Sequence, residues 1–191
     1  MKKYSFRILI LLSLIFPFIV QALPITYILD PDHSYVLWHI NHFNFSHPSG
    51  KWMAEGTVVI DKDQPKNSKV TATIRVDHMI TGLSELDKHL KGELFFNTNK
   101  YPTATFVSDK ISITSKTSAK VHGILTLRGV SQPVTLNVKL NSIGISPITN
   151  KETVGFSAST TVKRSDFGMT ALLPGLGDTV NLEIEAEAYK K

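Results

Sequence analysis

The sequence predicts an all-β, antiparallel domain of about eight strands, closed into a barrel or folded as a sandwich. Three observations carry that expectation. Apolar side chains recur every second residue through most of the chain, the period of a strand with one dry face. Polar, turn-forming clusters separate these runs, as at 61–67 and 128–133, where the chain reverses. Helical spacing appears in one short segment alone.

The elements follow in chain order. Lys2, Lys3 and Arg7 precede an apolar run over 8–20, interrupted by Ser13 and Pro17, and Val20-Gln21-Ala22 has the small-residue form of a cleavage site. Residues 1–22 are therefore expected to be a secretory signal peptide and 23–191 the exported, periplasmic domain. The apolar run is shorter than the roughly 20 residues of a membrane-spanning helix, so no stable span is expected after cleavage. No Cys follows it, which argues against a lipoprotein anchor.

A first strand places Val36, Trp38, Ile40 and His42 on one face, and a second places Trp52, Ala54, Gly56, Val58 and Ile60. Val70, Ala72, Ile74 and Val76 alternate with Lys69, Thr71, Thr73 and Arg75 in a third. Leu83, Leu86 and Leu90 then recur at helical spacing, and Ser84 with Asp87 has the form of a capping box; together they predict a short helix over 85–91, ended by Gly92. Strand patterns resume weakly over 104–111 and clearly with Val121, Gly123, Leu125 and Leu127. Val134, Leu136, Val138 and Leu140 make another, a weaker one covers 155–162, and Val180, Leu182, Ile184, Ala186 and Ala188 make the last. The lead-in 27–32 and a loop over 141–155 remain free to face a partner.

Composition narrows the function. The chain holds 21 Lys+Arg and 16 Asp+Glu, a net +5, but three of the basic residues and none of the acidic ones lie in 1–22. The exported part keeps 18 against 16, or +2, which is no signature of nucleic-acid binding. There is no Cys, so a secreted domain of this size relies on its core, and thiol chemistry is excluded. His39 and His42 point to opposite faces of a strand, and no H-x-H or H-E-x-x-H occurs, so no metal site is expected. No G-x-S-x-G elbow is present, and Gly175-Leu176-Gly177 precedes a strand, not a helix, so it cradles no phosphate. Asp30 with Asp32 and Asp61 with Asp63 sit in turns where a solvated Asp is ordinary. Catalysis is not expected.

One feature runs against the alternation. Phe156, Ala158, Thr160 and Val162 lead on the same parity to Arg164, a full charge delivered to the dry face. Such a charge is costly unless paired or facing a polar ligand group. Asp166 shares the parity as a candidate partner, and Phe167-Gly168 reads as a bend. Arg164 thus pins that bend or receives a polar head. Small inward residues (Ala54, Gly56, Ala72, Gly123, Ala158, Ala186, Ala188) either leave interior volume or make room for Trp38, Trp52 and Phe156, and the residues alone leave both readings open.

The order of motifs resembles the YceI-like family of secreted bacterial proteins over nearly all of 23–191. The likeness rests on Tyr27-x-x-Asp30-x-Asp32-His33-Ser34, Gly50-Lys51-Trp52, Asp87-Lys88-His89-Leu90-Lys91 and Phe95-Phe96. It continues through Tyr101-Pro102-x-x-x-Phe106-x-Ser108, Val121-x-Gly123-x-Leu125-Thr126-x-Arg128-Gly129-Val130, Arg164-x-Asp166-Phe167-Gly168 and Gly177-Asp178-x-Val180. The family position at Trp38 is more often Phe, and Ser46-His47-Pro48-Ser49 is an unusual approach to Gly50; both bear on the mouth of a pocket. The resemblance implies an eight-stranded, lipocalin-like antiparallel β-barrel with one short helix. It implies no cofactor beyond a bound polyisoprenoid lipid, such as a quinone or a prenyl phosphate, held inside. Val36, Trp38, Ile40, Trp52, Val58, Ile74, Phe106, Leu125, Phe156 and Leu182 are then expected to line the cavity, with His42, Arg164 and Phe167 completing the ligand-binding set. The alternative is a stress-response or interaction module on the same fold that carries no lipid, and a homodimer is open to either.

Overall fold

A computed structural model describes residues 23–191; the expected signal segment lies outside the described residues. Nine strands are present among them: β1 (Ile25–Leu29), β2 (Tyr35–His42), β3 (Ser49–Ile60), β4 (Lys69–Arg75), β5 (Thr103–Ile113), β6 (Ser118–Leu127), β7 (Val130–Ile145), β8 (Glu152–Lys163) and β9 (Leu176–Lys190). One helix, α1 (Ser84–Lys91), lies between β4 and β5. From β3 to β9 each strand pairs antiparallel with the next in sequence. β1 and β2 close the ring between β3 and β9.

Nine strands fill eight positions because β1 and β2 share one. β1 pairs with the far end of β3, Ile25↔Ile60 to Ile28↔Thr57, and with the far end of β9, Tyr27↔Lys190 to Leu29↔Ala188. β2 pairs with the opposite ends of the same two strands. A jog at 30–34 joins them, fastened by Asp30, whose carboxylate accepts the Asp32 N–H at 3.0 Å and meets the His33 ring at 3.0 Å. The result is a closed antiparallel barrel with one helix, which leaves no long sheet edge unpaired.

Two bulges explain where simple alternation misleads. Between Ser108 and Lys110 the β5 register slips by one, so even-numbered inward residues (Ala104, Phe106) give way to odd-numbered ones (Ile111, Ile113). The same slip between Leu140 and Ser142 in β7 turns Ile143 inward. An extra residue in one strand reverses the facing of everything after it. Two sequence expectations fall here. The lead-in 27–32 is the end of β1 followed by a turn, and 141–155 is not a loop but the arms of a hairpin, with only 146–151 as its turn.

The barrel ends differ. At the helix end α1 and the chain after it lie over the lumen. A cluster of Trp38, Trp52, Val76, Met79, Leu90, Phe95 and Leu176 is buried there. The helix begins one residue earlier than expected, and no capping box forms: Leu83 is the N-cap with no side-chain cap bond. Asp87 instead turns back to accept the Thr81 N–H at 2.9 Å and the Thr81 hydroxyl at 2.6 Å, which ties the helix to its lead-in. The other end, here the turn end, gathers the short connections 61–68, 114–117 and 146–151. A second cluster of Tyr27, Leu29, Val58, Val154 and Ala188 packs against the wall towards that end.

Candidate functional site

A cavity of about 800 Å³ occupies the barrel. Its wall is hydrocarbon along its length: Val36 and Ile40 from β2, Val58 and Ile60 from β3, Ile74 from β4, Phe106 from β5, Leu125 from β6, Leu136 from β7, Phe156 from β8, Leu182 and Ile184 from β9. Alternation puts these side chains inside, and eight strands set a bore that holds either side chains or one small ligand. The volume resolves the question that composition left open. Ala54, Ala72, Ala158 and Ala186 line the lumen and leave room in it. The glycines do something else. A Cβ on Gly56, whose φ is +147°, would stand 2.1 Å from the Thr71 carbonyl oxygen, and one on Gly123 would stand 2.7 Å from the Phe106 ring. They permit close approach of neighbouring strand and ring, not lumen volume.

The helix end of the cavity is aromatic. The rings of Trp38 and Trp52 lie 5.9 Å apart, and Trp52 meets Phe96 edge-on at 5.3 Å. Trp38 lies over Gly50, where an added Cβ would come within 2.4 Å of the ring. Both indole nitrogens lack a partner among the described residues, and both are covered, so an occupant meets ring faces and not these donors. His42 sits at the rim against Phe43, and His89, an exposed residue of α1, packs against Phe95. No group of three or more His, Cys, Asp or Glu able to hold a metal occurs among the described residues.

Arg164 closes this end. It is 4% exposed, just past the end of β8 in a 3₁₀ turn, Arg164–Phe167. Its Nε donates to the Gly177 carbonyl at 2.8 Å, Nη1 to Met169 at 2.8 Å and Nη2 to Leu176 at 3.0 Å. The expected pairing with Asp166 does not form; the strand ends at Lys163, so strand parity no longer sets which side chains meet. The acidic neighbour is Asp178, which accepts the Ser165 N–H at 2.9 Å and its hydroxyl at 2.8 Å. Burial pushes the Asp178 carboxyl up, but Ser165 and the Arg164 charge outweigh it and hold it below the usual carboxylate range. Burial lowers the Arg164 pKa. The guanidinium therefore secures the β8–β9 connection through three backbone carbonyls, the pinning role. Arg128 adds a second clamp, donating to the Gly168 carbonyl at 2.9 Å and to Glu93 at 2.7 Å.

The turn end is polar and basic around a greasy lip. Lys62, Pro65, Ile113, Ser115, Lys116, Thr117 and Ile143 are exposed and also line the cavity, against three such residues at the helix end, His42, His89 and Leu172. Asp61 is not the solvated carboxylate expected of a turn. It is buried and accepts the N–H groups of Asp63 at 3.1 Å and Gln64 at 2.7 Å. Beside it Tyr27 donates to Glu152; burial, with that carboxylate, pushes the phenol up to about 12. Lys62 and Lys190 approach Glu152 at 3.9 and 3.8 Å.

All thirteen residues singled out from the sequence stand on this one cavity wall. Arg128, Asp178 and the lip residues Ile113 and Ile143 were not singled out. Gly177-Asp178 and Arg128-Gly129 stood among the spaced motifs, which was their only signal; the isoleucines were hidden by the bulges.

A family model described as the YceI-like domain matches residues 27–188. A UPF0312 protein of Pseudomonas putida strain W619 is 34% identical over 175 residues, 90% of each chain, and one from Pseudomonas fluorescens strain SBW25 is 32% identical with the same coverage. Among solved structures, the Campylobacter jejuni YCEI protein superposes with a TM-score of 0.71 at 30% identity, covering 80% of this chain and 90% of that one. Burkholderia cenocepacia BcnA gives 0.73 at 23% identity, covering 83% and 98%. A polyisoprenoid binding domain from Saccharophagus degradans, implicated in plant cell wall breakdown, gives 0.64 at 14% identity, covering 87% and 99%; these last two show likeness of fold.

Proposed function

The chain belongs to the YceI-like family, and from that premise we propose that it is a non-catalytic binding protein for a long-chain isoprenoid lipid, carried inside the barrel in the periplasm. The observation that carries this reading is the cavity, hydrocarbon-walled and about 800 Å³. At a liquid-like share of ~30 Å³ per heavy atom it takes about 25 atoms, or roughly five isoprene units. Burying each carbon contributes about 0.8 kcal/mol, so a tail of that length gains on the order of 20 kcal/mol gross. Association costs of ~4–15 kcal/mol leave a surplus of about 5–16 kcal/mol, which corresponds to dissociation constants from sub-millimolar to picomolar. No acid, base or nucleophile is needed for this. A named polyisoprenoid binding domain shares the fold, which supports the ligand class. The apolar leader over 8–20 supports export.

The test is extraction of the purified protein followed by mass spectrometry, together with uptake of a ubiquinone and of a prenyl alcohol by the stripped protein. Recovered or acquired isoprenoid supports the reading. A protein that purifies empty and takes up neither ligand overturns it in favour of an interaction module.

A further inference from the structure

The apolar wall does not stop at the turn end. It continues through Ile113 and Ile143, which line the cavity while 53% and 44% exposed, to Ile145 on the same strand parity, 63% exposed, and Ile148 in the adjoining turn, 87% exposed. This lip stands proud of the rim. Leu140 donates to the Thr117 carbonyl at the last residue before β6, so Asn141 to Ile145 of β7 run on with no β6 beside them. Contiguous exposed apolar surface of this kind marks a contact site.

Charge says what contact. The connections at this end, 61–68, 114–117 and 146–151, with residues 190–191, carry Lys62, Lys66, Lys116, Lys151, Lys190 and Lys191 against Asp61 and Asp63, a side-chain balance of +4. Glu152, just inside β8, reduces it by one. The connections at the helix end, 43–48, 76–102, 128–129 and 164–175, carry five basic and five acidic side chains, a balance of zero. Isoleucines ringed by lysines, on one end of a nearly neutral domain, form the combination that binds anionic lipid headgroups while burying apolar tips among acyl chains.

We propose that the turn end is a docking face for an anionic membrane surface, with the β7–β8 hairpin tip inserted and the cavity mouth held against the bilayer. The face stands on its own surface chemistry; joined to the carrier reading, it sets the lumen in line with the acyl region, so that a lipid passes between bilayer and barrel with little exposure to water.

The test uses the domain 23–191, which contains every described strand and both core clusters, and vesicles of equimolar phosphatidylglycerol and phosphatidylethanolamine, with phosphatidylcholine vesicles as control. Co-sedimentation with the anionic vesicles alone, weakening as salt is raised, is the expected result. The pair Ile145→Ser and Ile148→Ser loses about tenfold or more in vesicle affinity. The pair Lys116→Glu and Lys151→Glu loses about fivefold for each lysine removed. Both pairs stay folded with a cooperative melt, since all four sites are exposed; the lysine pair shows only the small fall in melting temperature and the Tyr signal change expected from losing the Lys151 contact with the Tyr189 ring, 4.2 Å away. Equal binding to both vesicle types, no binding, or insensitivity to these changes overturns the proposal. So does a wild-type dimer that the isoleucine pair converts to monomer, which would make a second copy the occupant. Isoprenoid uptake from detergent is read separately: uptake without vesicle binding removes the docking face alone, and vesicle binding without uptake removes the carrier alone.

Discussion

The two ends of this barrel are built from the same strands and solve opposite problems. At the helix end polar groups are turned inward onto backbone. Arg164 and Arg128 donate to five carbonyls, Asp178 and Asp87 accept from N–H and hydroxyl groups, and aromatic rings fill what remains. At the turn end Asp61 is likewise turned onto backbone, but the rim around it is exposed lysine and isoleucine, with Lys62 and Lys190 near Glu152. Charge that caps a chain reversal gives rigidity; charge that rings an apolar lip gives adhesion. Positive charge thus carries fold at one end, as arginine, and contact at the other, as lysine, and burial separates the two uses.

The contrast breaks most sharply at Arg164. Arg164→Ala takes the guanidinium from three carbonyl oxygens, two of the bonds buried and one part-buried, and urea unfolding should show a loss of about 3–5 kcal/mol. Arg164→Lys recovers little of it, because one ammonium cannot serve three diverging acceptors. Ligand affinity of whatever folds should be close to wild type; a large fall in affinity with stability intact would return Arg164 to a head-group role. Next in size is Gly50→Ala, which drives a methyl into the Trp38 ring and should cost about 1–3 kcal/mol by overpacking. An equal cost for Ile145→Ala at the exposed lip would erase the distinction between the ends.

Ala158→Phe tests the space between them. A ring added to empty lumen should change stability by less than about 1 kcal/mol, while uptake of a prenyl alcohol falls at least tenfold (roughly 1.4 kcal/mol). Unchanged uptake would place the ligand elsewhere.

The smallest effects lie at the pH extremes. The Asp178 carboxyl titrates lower when folded than unfolded, so its contribution is present above the unfolded value near ~3.9 and is lost as pH falls through the folded one. Asp178→Asn should flatten the acid limb of the stability curve. Tyr27 titrates higher when folded, at about 12, so its contribution is present below the unfolded value near ~10 and disappears as pH rises through the folded one. Tyr27→Phe should remove the alkaline limb. Limbs that survive these substitutions would assign the pH dependence to other groups.

Much of this was legible in the sequence, and the misses have definite causes. Alternation places Val36, Trp52, Leu125 and Leu182 inside because each lies on a strand stretch free of bulges. Ile113 and Ile143 follow bulges, so their parity reads as outward. β1 is missed because five residues are too few for a periodic signal, and Asp30 and Asp32 behind them read as a turn. The hairpin arms around 146–151 include Asn141, Ser142, Gly144 and Gly155, which local propensity assigns to a loop and which pairing of the arms with each other, and of β8 with β9, overrides. Arg164 is visible as an anomaly because it breaks a dry face. Its partners are not, since they are backbone carbonyls of a connection whose path depends on a turn beyond the strand. Whether the bore is hollow depends on how far apart the walls stand, which no single strand encodes.

The jog at 30–34 has a kinetic meaning. A stave made in two pieces is two cooperative units. β1 is held by short ladders to the ends of β3 and β9, while β2 is held by longer ones beyond the jog. Amide protons of Ile25–Leu29 therefore exchange by a local opening that leaves Tyr35–His42 protected. Such an opening parts the wall beside Leu29 and Ser34, both of which face the lumen, so a shorter-held and a longer-held segment are neighbours on one strand position.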